Sequence, residues 1–118
     1  MEFKINSKEP IYTQIMRYLK KGIVKGELKG GDRILSVREY ASELKVNPNT
    51  IQRAYTQLED EGLKYTQRGI GKFVVDDENK INELRIEMLE DVITSFINES
   101  KELGVKKEDL INLINQKF

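Results

Sequence analysis

The chain has 118 residues, with 20 Lys/Arg against 20 Asp/Glu and neither cysteine nor histidine. That length holds one domain plus an appendage. The missing residue types exclude a disulfide framework, thiolate chemistry, and the commonest general base and metal ligand. No apolar run approaches the ~18 residues of a membrane span, and the opening MEFKINSKEP is no signal peptide, so a cytoplasmic protein without a membrane partner is expected.

The zero net charge hides an asymmetry. Residues 1–75 carry 14 Lys/Arg and 9 Asp/Glu, or +5, whereas residues 76–118 carry 6 and 11, or −5. A basic front half suits a polyanion and an acidic back half is repelled by one, although an excess of this size also arises by chance.

Met1 to Ile5 alternates weakly through Phe3 and Ile5, as a short strand or a loose arm does. Pro10 suits a first helical turn, and Ile11, Ile15, Tyr18, Leu19 and Ile23 follow at helical spacing. A helix is expected over about residues 10–25, stopped by Gly26. Arg17, Lys20, Lys21 and Lys25 fall largely off its stripe, where a solvated face accounts for them better than phosphate contacts do.

Gly30-Gly31-Asp32 marks a turn. Ser36 followed three residues later by Glu39 is a capping box, and Val37, Tyr40, Ala41 and Leu44 then line one face of a short helix. After the break Lys45-Val46-Asn47 a second helix begins, with Asn47 as N-cap and Pro48 at the first position. Ile51, Ala54, Tyr55 and Leu58 form its buried stripe. Asn49, Thr50, Gln52, Arg53, Thr56 and Gln57 lie outside that stripe, and Gly62 ends the helix. Leu63 to Thr66 and Lys72 to Val75 read as strands around Gln67-Arg68-Gly69-Ile70-Gly71, a glycine-rich turn whose Arg68 can meet a phosphate or a minor groove. Two short helices, a three-residue break and a hairpin are the layout of a winged helix-turn-helix.

Asp76-Asp77-Glu78-Asn79 is a polar break, taken as the boundary between a first domain at 1–75 and a second at 76–118. Ile81, Leu84, Met88, Leu89, Val92, Ile93, Phe96 and Ile97 then repeat at three and four spacing, a long amphipathic helix over about residues 79–102. Leu103-Gly104 stops it, and a last helix after Lys106 carries Leu110, Ile111, Leu113, Ile114 and Phe118. The expected fold is mainly α with a small β-wing, a winged helix-turn-helix followed by a two-helix tail. One short helix cannot cover the wide stripe of the long one. A homodimer interface is therefore expected at Leu84, Met88, Leu89, Val92, Ile93, Phe96 and Ile97, against the alternative that both tail helices fold back on the first domain.

The polar face of the second short helix consists of amides, hydroxyls and one guanidinium, which can donate to and accept from base edges in the major groove. Arg38 can hold a phosphate or a guanine, and helix N-termini add N–H groups for phosphates. Asn47 at least caps its helix, and periodicity alone favours an ordinary solvated surface for Asn49, Thr50 and Gln52.

The segment GDRILSVREYASELKVNPNTIQRAYTQLEDEG followed by QRGIGKFV closely resembles the DNA-binding domain of GntR-family bacterial transcription regulators, over about residues 10–75 with the spacing intact from Gly31 to Val75. A match of that length is far more specific than a lone short motif. The two-helix tail of some 40 residues looks like that of the YtrA-like subgroup. The resemblance implies that Ser36 and Arg38 contact DNA backbone and bases, that Asn47, Asn49, Thr50 and Gln52 occupy recognition-helix positions beside Arg53, and that Arg68, Gly69 and Gly71 form a wing approaching the minor groove. It also implies a homodimeric repressor on a palindromic double-stranded operator, often of a membrane-transporter operon. A small-molecule effector, where one acts, is expected near the dimer helices or the inter-domain junction. The sequence departs from the family pattern at Leu35 (usually Pro), Tyr40 (often Leu), Pro48, which lacks a side-chain donor, and Lys64, where an apolar residue often follows Gly-Leu.

The competing reading is a winged-helix protein-interaction module without sequence-specific DNA binding. The carboxylates are scattered, and nothing resembles a nucleophile–base pair, a phosphate loop or a ligand set, so no catalysis, cofactor or metal is expected.

Overall fold

Five helices and a three-stranded sheet follow one another as α1 (Ile11–Lys25), β1 (Arg33–Ile34), α2 (Val37–Leu44), α3 (Pro48–Asp60), β2 (Lys64–Gln67), β3 (Gly71–Val74), α4 (Glu78–Glu102) and α5 (Lys107–Lys117). The computed structural model describes residues 3–118, so Met1 and Glu2, and that part of the expected strand or arm, lie outside the described residues. Phe3 to Ile5 form no strand; the Phe3 ring meets Tyr18 edge-on at 5.2 Å.

The fold is mainly helical with a small antiparallel wing. Pro10 stands at the N-cap of α1 rather than inside it. The buried face of α1 is Ile15, Met16, Leu19 and Ile23, together with Gln14, while Ile11 stays exposed. Gln14 tolerates burial because its amide is fully used: it accepts from the Asn6 N–H and donates to the carbonyls of Asn6 and Glu9, which fixes the segment before α1. Arg17 pairs with Glu9 at 2.7 Å, Lys20 with Glu61 at 2.9 Å and Lys25 with Glu27 at 3.6 Å, so three of the basic groups off the stripe are engaged within the chain.

The Ser36–Glu39 capping box forms in both directions and starts α2. Tyr40 and Ala41 from α2 pack against Ile51, Ala54, Tyr55 and Leu58 from α3, with the Tyr40 and Tyr55 rings stacked at 6.2 Å. The Tyr55 hydroxyl donates to the Leu35 carbonyl at 2.7 Å, tying the middle of α3 to the turn before α2. Burial raises the pKa of both phenols well above the ordinary tyrosine value.

The sheet has the order β1-β3-β2, with Arg33 opposite Phe73 and Lys64 opposite Val74. Both hairpin strands are shifted by one residue from the sequence expectation, at 64–67 and 71–74 rather than 63–66 and 72–75. The Gln67↔Gly71 pair leaves a three-residue loop, Arg68-Gly69-Ile70. Gly69 has φ 80 and Gly71 φ 153, conformations that side-chain-bearing residues rarely adopt, and a Cβ at Gly71 would meet the Arg33 Nε at 3.0 Å.

Two compact units result, the first ending at Leu84 and the second spanning Arg85–Phe118. In the second unit Gly104 follows α4 and α5 begins after Lys106. Among the described residues of this unit only Ser100 is buried, its hydroxyl donating to the Phe96 carbonyl one helical turn back.

Candidate nucleic-acid interface

The first turn of α3 is built to be presented. Asn47 holds extended backbone, and its side-chain oxygen accepts from the Asn49 N–H at 2.8 Å. Pro48 takes the first helical position, where its missing N–H costs nothing. With Ile51, Ala54, Tyr55 and Leu58 fully turned inward, Asn47, Asn49, Gln52 and Arg53 are exposed and Thr50 is half-buried. The Gln52 amide donates to Thr56 Oγ1 at 3.1 Å, one turn on.

Arg53 is held from the side. Its guanidinium carbon lies 3.8 Å from the centroid of the Tyr12 ring of α1, a cation–π contact. Pro10, Ile11 and Tyr12 with Asn49, Thr50 and Arg53 line an open groove of about 400 Å³ beside the α3 N-terminus. Nothing local in the sequence marks Tyr12, because its contact with Arg53 depends on α1 packing across α3.

Ser36 serves α2 as its cap: its Oγ accepts from the Glu39 N–H at 3.2 Å, and the Glu39 carboxylate accepts from the Ser36 N–H at 3.1 Å. Hydrogen bonding of the Glu39 carboxylate to the side chain and then the backbone N–H of Ser36 lowers its pKa from the ordinary value. Arg38 and Arg68 are both exposed and form no ion pair with the described residues; Arg68 stands at the wing tip beside Gly69 and an exposed Ile70. Gly71 closes the wing loop opposite Gln67. Thus α3 presents the polar set at 47–53, while Ser36 and Arg38 flank the start of α2 and Arg68, Gly69 and Gly71 belong to the hairpin.

The residues named for the tail behave differently from one another. Leu84 is 5 % exposed within the single chain, unlike the residues that follow it on α4. Met88 is half-buried, and Leu89, Val92, Ile93, Phe96 and Ile97 are exposed. No helix among the described residues is long and apolar enough to cross a membrane, and no cluster of potential metal ligands occurs among them.

Comparison with known proteins places this geometry in a family. The profile described as "Bacterial regulatory proteins, gntR family" matches residues 11–74. The chain is 40% identical over 111 residues to the HTH-type transcriptional regulator YhcF of Bacillus subtilis (strain 168), covering 94% of this chain and 92% of that protein. It is 35% identical over 111 residues to the HTH-type transcriptional repressor YtrA of the same organism, covering 93% and 85%. A GntR family transcriptional regulator from Listeria monocytogenes superposes with a TM-score of 0.90 at 40% identity, over 97% of this chain and 100% of that one.

Proposed function

The chain belongs to the gntR family of bacterial regulatory proteins, transcription regulators with a DNA-binding winged helix, and on that premise we propose that it is a cytoplasmic homodimeric repressor occupying a two-fold symmetric operator. The observation that carries the reading is the outward polar set at the N-terminal end of α3, held by the Asn47 cap and the Tyr12–Arg53 stack. Amide, hydroxyl and guanidinium groups at that end match the donor and acceptor pattern of base edges in the major groove. Arg38 supplies a backbone or guanine contact, and the wing with Arg68, Gly69 and Gly71 supplies the minor-groove contact. Ser36, Asn47, Asn49, Thr50, Gln52 and Arg53 complete the surface.

The second unit supplies the dimer. Leu89, Val92, Ile93, Phe96 and Ile97 are exposed, and the unit has no core of its own to stabilise its helices. A second copy burying these side chains sets two recognition helices ~34 Å apart or at a multiple of it. Repression then follows from occupancy that blocks polymerase. No catalytic step is assigned to any residue, and an effector would act through the helical unit.

The test is selection of genomic fragments by the purified protein at moderate salt, read by sequencing. One palindromic motif is the expected result, with affinity falling steeply as salt rises. Arg38→Ala lowers affinity about tenfold without unfolding the protein, the direction and size of a lost DNA contact. Uniform recovery of fragments with no motif would instead support the protein-interaction module.

A further inference from the structure

Lys64 is the only buried charged side chain among the described residues, at 3 % exposure. Its Nζ donates to Thr66 Oγ1 at 3.3 Å and lies 3.6 Å from Glu59 Oε1, while the Thr66 hydroxyl donates to the same Glu59 oxygen at 2.8 Å. The ammonium also stands over the Tyr55 ring, 5.6 Å from its centroid. Burial, and then the charge of Lys72 opposite Thr66, lower the lysine's pKa, and Glu59 opposes both.

Packing does not account for this lysine. A methionine or leucine fills the same volume without taking a charge out of water, and buried ion pairs generally stabilise a fold less than such replacements do. What the ammonium adds is direction. Glu59 and Tyr55 belong to α3, Thr66 belongs to the first strand of the wing, and Lys64 closes the triangle between them. Tyr55 in turn holds the Leu35 carbonyl before α2, so one aromatic ring connects three DNA-proximal elements.

We propose that Lys64 is a wing-positioning residue: with Glu59 and Thr66 it fixes the direction in which the β2–β3 hairpin leaves the recognition helix, so that Arg68 reaches the minor groove while α3 occupies the major groove. The proposal rests on the DNA-binding reading above and assigns the lysine to geometry rather than to DNA contact.

Lys64→Met removes the ammonium and keeps an apolar stem. On a duplex recovered by the selection described above, its affinity falls roughly tenfold, within the range of coupled neighbouring groups, while Tm is unchanged or higher. Hydroxyl-radical protection of the minor groove beside the wing is lost, and dimethyl sulfate protection of guanine N7 in the major groove remains. Arg68→Ala, costly in the wild type, has little further effect in the Lys64→Met background. Thr66→Val opens the same triangle at another corner and gives the same pattern, which keeps the test intact if Lys64→Met fails to fold. Additive losses for Lys64→Met and Arg68→Ala, or an unchanged footprint, overturn wing positioning. A wild-type protein that protects neither groove on any recovered duplex overturns the DNA-binding reading itself.

Discussion

In the first unit Ile51, Ala54, Tyr55 and Leu58 are each 1 % exposed or less, whereas in the second Val92 is 64 % exposed and Ile93, Phe96 and Ile97 about 40 %. Both stretches are amphipathic helix, written with the same apolar alphabet. The difference lies in what surrounds them. The stripe of α3 is covered by α1, α2 and the foot of the wing, and its polar face is left for a ligand. On α4 beyond Leu84, Leu89, Val92, Ile93, Phe96 and Ile97 are exposed, so there the apolar face is the part available to a partner. One unit hides its hydrophobic side and offers polar groups; the other offers the hydrophobic side itself.

Ile93→Glu should produce the largest effect of any single change that leaves the first unit intact. A carboxylate in the middle of the proposed helical interface would lose the burial of isoleucine and add a desolvated charge, together about 3 kcal/mol or more per contact surface. The dissociation constant of the proposed dimer should rise more than 100-fold and apparent affinity for the proposed operator should fall with it. Sedimentation velocity at micromolar concentration reads the outcome; a dimer of unaltered stability would move the interface off this face. Ile51→Ala tests the opposite side of the comparison. Ile51 is fully buried, so the truncation should cost about 2–5 kcal/mol of unfolding free energy. That loss belongs to the first unit and should persist in the Ile93→Glu background, giving additive losses in denaturant titrations of the double variant.

How legible each unit was in the sequence follows from how local its determinants are. The buried stripe of α3 was read in full because cap, Pro48 and 3.6-residue periodicity all agree over thirteen residues. The wing was legible through Gly69 and Gly71, though its register slipped by one residue because strand ends carry no local marker. β1 was not legible: two residues show no alternation, and Arg33–Ile34 is a strand only because β3 pairs with it. Burial of Gln14 was equally hidden, since its three hydrogen bonds go to backbone five to eight residues away. Leu84 reads as part of the α4 stripe, yet it is buried where the rest of that stripe is open, and the first unit ends at it, a division that periodicity cannot mark. For the candidate interface, the polar residues on α3 were visible as a face, but the Tyr12 ring that holds Arg53 depends on tertiary contact.

Acid should reach the first unit through its capping and wing-anchoring carboxylates. Glu39 is lowered from its ordinary value of 4.5 first by the hydrogen bonds with Ser36, and Glu59 first by the Thr66 hydroxyl. Because the folded values lie below the unfolded one, the stabilisation is fully present above the ordinary carboxylate range and is lost as pH falls through the folded values. Tm measured from pH 6 down to pH 3 should therefore decline. Glu39→Gln keeps an acceptor in the capping box without titrating, so it should flatten part of that slope; an identical slope would remove Glu39 from the transition.

The smallest expected effect sits at the break between α2 and α3. Lys45 closes α2 in the left-handed region at φ 58, the only positive φ outside glycine among the described residues. Its N–H bonds the Ala41 carbonyl, so the conformation is required by the turn that sets α3 against α2. A lysine has no local hydrogen bond to offset the crowding of Cβ against the following carbonyl, whereas asparagine tolerates this region far better. Lys45→Asn should therefore raise stability by about 0.5 kcal/mol, a fraction of the 1–2 kcal/mol general cost of the left-handed conformation. The side chain is exposed, so no packing changes with it. Its gain should appear in first-unit unfolding and be absent from the dimer constant that Ile93→Glu perturbs. A loss of stability would mean that the lysine ammonium contributes more at this turn than its backbone strain costs.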